Sequence, residues 1–344
     1  MMHWTAHNGP IRALGYSPDG AWLVSGGDDP SLGVWDPVSG QRRADVRHQF
    51  PTIEDLAFSP DGRFLALATL RPVLVVCDCA DLRRDGPLAG VGSQPERSWE
   101  PLVSSVAFSP DGQYLVSAGA LPRPRSEAIL WNATVFNLGR IRDLPVPRID
   151  SLTIKDTDCL TAAYASDGRT IALGGFQGLI VLWLYPNPRE SLQKREKRFD
   201  SAARGRQVHR SCFVEVRAGS GDPVRRIAFS PDNTTLAAAI GNVVDLWDYR
   251  HPEERLPVVS NRRQLRGHAD CVRSLAFTPD GRTIATASLD GTLRLWDARE
   301  TFEFSCLDAG AGPLHCLALA PDGMTVAVGG EQGDIAIIDV DERL

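Results

Sequence analysis

Lysine is nearly missing from this chain. Lys155, Lys194 and Lys197 are three of 37 basic residues, and the other 34 are arginine. That bias reads as the imprint of a GC-rich bacterial coding sequence rather than as a physical device. No apolar run reaches the roughly 18 residues of a membrane-spanning helix, so no membrane partner is expected. The opening MMHWTAHNGP has no basic stretch leading into an apolar one, which argues against a secretory leader. Seven cysteines, an odd number, lie scattered with no C-x-x-C pair. They read as buried free thiols of a reducing, cytoplasmic compartment. The motifs H-E-x-x-H, G-x-S-x-G, the Walker phosphate loop and the EF-hand loop do not occur. GVGSQP (90–95) and GAGPLH (310–315) each fall short of a dinucleotide fingerprint and read as loops. His3 and His7 are a weak metal pair at best, so neither metal nor cofactor is expected. A net charge of −6 makes nucleic acid an unlikely target for the molecule as a whole.

What the chain has is one phrase written seven times: SPDG (17–20), SPDG (59–62), SPDG (109–112), ASDG (165–168), SPDN (230–233), TPDG (278–281) and APDG (320–323). Proline sets the first corner of a tight turn, aspartate bonds the local backbone, and glycine accepts a positive φ. Taking Pro18, Pro60, Pro110, Ser166, Pro231, Pro279 and Pro321 as position zero, flanking columns align without gaps. Two and four residues before zero are apolar, which is the alternation of a half-buried strand. Three before, every copy has Gly or Ala. Five after stand Leu23, Leu65, Leu115, Ile171, Leu236, Ile284 and Val326. Seventeen after come Trp35, Cys77, Trp183, Trp296 and Ile338, with Trp247 one residue early and Phe136 nine late, usually followed by Asp. Fourteen before, Trp4, Val46, Leu152, Leu265 and Leu307 mark a further strand.

Each copy therefore predicts four short strands. A sheet that small cannot bury its faces alone, and stacking the sheets around an axis covers them. The expected fold is all-β: a seven-bladed propeller of four-stranded antiparallel blades, forming a single domain over 1–344. After Ile338 too little chain remains for a last strand, so residues 1–6 are expected to supply the outer strand of blade 7 and close the ring.

RGHADCVRSLAFTPDGRTIATASLDGTLRLWDAR (266–299) resembles a nearly ideal WD repeat, with Gly-His at its start and Trp-Asp at its end. The resemblance implies a β-propeller and a structural hydrogen-bonded tetrad, here His268, Ser288, Asp290 and Trp296. Only the sixth copy has it whole, since the first, with His7, Asp29 and Trp35, carries Gly27 where Ser288 stands. The resemblance also implies a non-enzymatic scaffold, monomeric or part of a larger multidomain protein, binding a protein or peptide on the loop face around the channel mouth. The small and apolar columns of the innermost strand predict few polar groups in the channel, which disfavours the alternative of a channel-mouth enzyme or small-ligand binder.

Six before zero stand Arg12, Glu54, Ser104, Leu160, Arg225, Arg273 and His315, and ten after zero Asp28, Leu70, Phe176, Leu289 and Glu331. Arg225, Arg273, His315 and Arg12 come from consecutive blades and predict a basic arc for an acidic or phosphorylated peptide. Asp28 and Glu331 are candidate internal counter-ions for Arg12 and His315. Two stretches depart from the repeat. LPRPRSE (121–127) predicts a swollen turn between the second and third strands of blade 3. Residues 186–210, between strands c and d of blade 4, hold eight basic and three acidic residues, so this insertion is +5 and the remainder −11. Asn187, Pro188 and Glu190 form a helix-start pattern there, which offers a second route to an acidic partner or nucleic acid.

Overall fold

A computed structural model describes residues 1–47, 52–69, 74–83, 86–87, 90–92, 102–121, 125–138, 148–155, 157–185, 212–218, 221–251 and 257–340. The turn phrase builds what its chemistry predicts. In the first copy, the Ser17 hydroxyl donates to Asp19 at 2.5 Å and accepts from the Trp22 amide at 3.0 Å, while Gly20 N–H returns to the Ser17 carbonyl at 2.8 Å. The last residue of the phrase has positive φ in all seven copies, between 61° at Asn233 and 75° at Gly323. Such a conformation costs other L-residues energy, which is why glycine recurs there.

Each turn joins the inner two strands of a four-stranded antiparallel sheet, with the strands named a to d outward. Strand a runs Ile11–Tyr16, Ile53–Phe58, Leu102–Phe108, Cys159–Tyr164, Val224–Phe229, Val272–Phe277 and Leu314–Leu319 in blades 1 to 7. Consecutive a strands touch one another, and the last touches the first, so the sheets form a closed seven-bladed propeller. The all-small column has a steric cause: a Cβ on Gly15 would lie 2.5 Å from Leu56 Cδ1 of the next blade. Leucine, isoleucine and valine from facing sheets fill the space between blades and are almost fully buried.

The outer strand of blade 7 is Met2–Thr5, paired antiparallel with Asp334–Asp339 in the register Met2↔Ile337 to Thr5↔Asp334. Trp4 reaches on to blade 1, where its ring centroid lies 5.6 Å from that of Trp35. Blade 1 carries a fifth strand, Gly86–Pro87, parallel to Arg42–Arg47.

Two sequence expectations are corrected in blade 3. The swollen turn at 121–127 is mostly a longer hairpin, since Tyr114–Leu121 and Arg125–Asn132 stay paired as far as Leu121↔Arg125. The tryptophan column is filled there by Trp131, opposite Leu115, and Phe136 is instead buried in a 3-10 turn (Ala133–Leu138) against Phe64. Asn132 then does the work of the aspartate that follows tryptophan elsewhere, accepting from the Thr134 amide at 3.0 Å as Asp36 does from Val38. Residues 186–210, with the proposed helix start, lie outside the described residues.

Candidate functional site

The interior polar network differs from expectation in one member. His268 Nδ1 lies 2.9 Å from Asp290 and its Nε2 lies 2.7 Å from Thr286 Oγ1, to which Trp296 Nε1 donates at 2.8 Å. The hydroxyl is thus Thr286, not Ser288. Trp296 pairs opposite Ile284, so its indole reaches the diagonal neighbour two residues on, whereas Ser288 is two further and bonds the Asp270 carbonyl at 2.9 Å. The same offset makes the first copy whole: His7 touches Asp29 at 2.8 Å and Ser25 at 2.7 Å, and Trp35 donates to Ser25 at 2.7 Å. Trp131 donates to Ser117 at 2.8 Å, without a histidine. The imidazole, hydroxyl and indole groups are buried and mutually satisfied, and in blades 1 and 6 the aspartate also accepts from the amide after the histidine, which ties down the loop entering the blade. Burial keeps His268 below its ordinary pKa although Asp290 opposes this, and hydrogen bonds from Thr292, His268 and Ala269 outweigh burial in holding Asp290 well below the usual carboxylate range. Nothing in this arrangement exposes a nucleophile.

The channel mouth is organised by an irregularity that recurs in every blade. The a–b pairing slips between Ile11 and Ala13, Ile53 and Asp55, Val103 and Ser105, Cys159 and Thr161, Val224 and Arg226, Val272 and Ser274, and Leu314 and Cys316. The skipped residues are Arg12, Glu54, Ser104, Leu160, Arg225, Arg273 and His315, the entire column six before zero. A β-bulge leaves its extra residue unpaired and re-aims it. All seven skipped residues line one cavity of about 220 Å³ on the axis.

The residues that follow the bulges were missed by sequence reasoning. Asp55, Arg226, Ser274 and Cys316 also line the cavity, and Arg226 Nη1 reaches across it from blade 5 to Asp55 Oδ1 of blade 2 at 3.0 Å. Asp55 accepts in addition from Ser105 Oγ at 2.7 Å and the Val106 amide at 3.2 Å. The channel is therefore polar and bridged by an ion pair, which overturns the expectation of an apolar lining. A signal existed in the column five before zero, which holds Asp55, Ser105, Thr161, Arg226 and Ser274 where a buried strand needs no polar residue.

At the rim, Arg12 grips Asp28 with two bonds of 2.7 and 2.9 Å and lies 3.8 Å from Glu54. The bond to Asp28 raises the guanidinium pKa further, while burial raises that of Glu54 against the pull of Arg12. His315 Nε2 bonds Glu331. Among the described residues Arg225 and Arg273 have no carboxylate partner within ion-pair distance, and Arg225 Nε is buried with no hydrogen bond. Arg273 has its pKa lowered by burial and by the nearby charges of Arg225 and Arg12. Cys316 is no nucleophile: burial pushes its thiol up to about 12, and it donates to the Ile11 carbonyl at 3.3 Å.

The other candidates lie apart from the cavity. Phe176, 39% exposed, borders a separate groove between blades 3 and 4 together with Phe213. Leu289 is half-buried on the b–c loop of blade 6, and Leu70 lies outside the described residues. Among the described residues no three His, Cys, Asp or Glu gather to hold a metal, and no helix is long and apolar enough to cross a membrane.

Comparison with known proteins converges on the same repeat. A family model described as WD domain, G-beta repeat matches residues 1–36, 94–120 and 260–297. The chain is 34% identical over 58 residues to protein tipD of Dictyostelium discoideum, covering 17% of this chain and 10% of that protein. It is 30% identical over 64 residues to a guanine nucleotide-binding protein subunit beta of Oryza sativa subsp. indica, covering 19% and 17%. It is 40% identical over 60 residues to nuclear distribution protein PAC1-1 of Uncinocarpus reesii, covering 17% and 14%. The matched stretches thus span between 10% and 17% of these relatives' own length, and all three relatives are eukaryotic.

Proposed function

Starting from a seven-bladed propeller built of WD repeats, we propose that this protein is a non-enzymatic scaffold. It binds an acidic segment of a partner protein or peptide on the face of the b–c and d–a loops, around the channel mouth. One observation carries the reading: bulges in blades 5, 6, 7 and 1 bring Arg225, Arg273, His315 and Arg12 to one cavity, and among the described residues two of these guanidiniums have no carboxylate within ion-pair distance. On a chain of net charge −6, that concentration selects for a negatively charged segment. The similarity to a protein named as a subunit of a larger assembly accords with a scaffold. The inert Cys316 thiol and the absence of a nucleophile–base pair among the described cavity residues weigh against chemistry there.

The test replaces Arg12, Arg225 and Arg273 together by Glu and repeats capture of partners from the native cell. Loss of specific partners by a folded variant supports the reading. Full retention at unchanged affinity overturns it and turns attention to the basic 186–210 insertion.

A further inference from the structure

The charges around the cavity sort into spent and unspent. On the wall of blades 1 and 2, Arg12 is held by Asp28 and lies beside Glu54. At the next level in, Arg226 and Asp55 neutralise each other across the axis. What remains is the wall of blades 5, 6 and 7. Among the described residues Arg225 and Arg273 face the cavity with no carboxylate within ion-pair distance, Glu54 acting on Arg273 only from farther off, and the Arg225 Nε hydrogen is buried and unused. Beside them His315, with a side chain only 10% exposed, has Nε2 engaged by Glu331 and Nδ1 buried without a partner. Two guanidiniums that repel one another, with buried donors left over, are costly unless an anion completes them.

We propose that Arg225, Arg273 and His315 form a site for a tetrahedral oxyanion, a phosphate monoester or free phosphate. This rests on the partner-binding reading of the same mouth and names the group recognised there. Two guanidiniums and, once it is protonated, the His315 ring arrive from three successive blades. A tetrahedral ion offers an oxygen to each, whereas a planar carboxylate has only two. Two unmatched guanidinium charges call for a dianion, and a phosphate monoester carries roughly 1.5 to 2 negative charges near neutrality. Guanidinium forks match its oxygens in pairs.

His315 makes the site proton-linked. Because Nε2–H donates to the Glu331 carboxylate, the neutral ring keeps an unpartnered lone pair at the buried Nδ1, and the cation carries a hydrogen there. The groups acting on this ring are Glu331 of its own blade, Arg273 of blade 6 and Arg12 of blade 1; burial and the two arginines keep it neutral, and Glu331 opposes them. A bound oxyanion adds negative charge beside Nδ1, so binding draws a proton onto the ring and affinity rises as pH falls. Sulfate keeps both charges across the histidine range, so it isolates this effect from the ligand's own protonation.

The experiment is calorimetric titration of the full chain with inorganic phosphate, phenyl phosphate, sulfate and acetate. A phosphoserine peptide and its unphosphorylated twin are titrated alongside. The tetrahedral ions are expected to bind saturably, with acetate weaker by roughly tenfold or more, the scale of one charge-assisted bond. Arg225→Gln and Arg273→Gln should each weaken sulfate by roughly tenfold or more. Melting curves should confirm that both variants fold. His315→Gln should flatten the rise of sulfate affinity toward acid pH. If the phosphoserine peptide exceeds free phosphate while its twin is silent, the phosphate belongs to the partner; if it gains nothing over free phosphate, the ligand is the free ion. Acetate equal to sulfate, or sulfate affinity untouched in both arginine variants, overturns the oxyanion site. Partner capture lost in the triple Glu variant without any oxyanion binding would overturn this site alone. Oxyanion binding by the parent chain with partner capture intact in the triple Glu variant would overturn the mouth as the partner-binding face alone.

Discussion

The two ends of the channel are made from the same seven repeats and could hardly differ more. At one end the Pro-Asp-Gly turns form a ring of near copies. In five of the seven a Ser or Thr hydroxyl donates to the Asp two residues on, and turns in neighbouring blades pack together, as where Gly62 would place a Cβ 3.5 Å from Pro18. At the other end, the bulges place seven side chains at equivalent positions, and these are three arginines, a glutamate, a serine, a leucine and a histidine. Backbone geometry is repeated at both ends, but chemistry is repeated only at the first. A closed ring needs each turn to fit its neighbours, whereas a bulged residue aimed into open space need fit nothing of its own blade.

If that division holds, substitutions in the repeated frame cost stability, and substitutions at the mouth cost binding. Trp296→Ala in the wall of blade 6 should have the largest effect, a loss of about 3–5 kcal/mol by denaturant unfolding, as for a buried aromatic removed from a packed core. Thr286→Val should cost about 1–3 kcal/mol, because it strips the shared partner of His268 and Trp296. Ser288→Ala, which leaves that network intact, should cost less, and the opposite ranking would reinstate Ser288 as the tetrad hydroxyl. Gly62→Ala, at φ 69°, should cost about 1–2 kcal/mol with no effect at the mouth.

Acid should act on the frame in a defined direction. The folded pKa of His268 is depressed, so the unfolded chain takes up its proton first. The stability this group contributes is full above its ordinary value of 6.5 and is lost as pH falls from there toward the folded value. Asp290, also depressed, adds a second loss below the ordinary carboxylate value of 3.8. Melting temperature measured from neutral to acid pH should therefore fall, and in Asp290→Asn the lowest-pH part of that fall should shrink. The smallest stability effect belongs to the mouth. Arg225→Gln and Arg273→Gln should leave the melting temperature unchanged or slightly raised, since each removes a cation that repels its neighbour. A clear drop in both would mean that these residues belong to the frame.

The frame was legible because its signals are local. The turn phrase, the small column and the strand alternation each act within about a dozen residues, so seven aligned copies exposed them. Reading failed where a gap in the count had to be placed. In blade 3 a gap of nine residues pointed to Phe136, while the hairpin had lengthened by less and put Trp131 opposite Leu115. It failed again at the hydroxyl, because resemblance supplied the residue type and not the diagonal reach of an indole across two strands. At the mouth, the column of Arg12, Arg225, Arg273 and His315 was visible, and the polar residues of the next column were a signal left unread, because the bulge that turns that column into the channel has no sequence mark of its own.

The sequence by itself determined how many blades there are, where each tight turn falls, and which column of side chains differs from copy to copy. These follow from periodicity and from the φ preferences of proline and glycine, which act between near neighbours in the chain. Only the closed ring decided which charges are spent. Arg226 meets Asp55 across 171 residues of chain, and Arg225, Arg273 and His315 share one wall, because blades distant in sequence face one another over a common axis. Pairing across that axis depends on the curvature of the whole ring, which no single repeat contains.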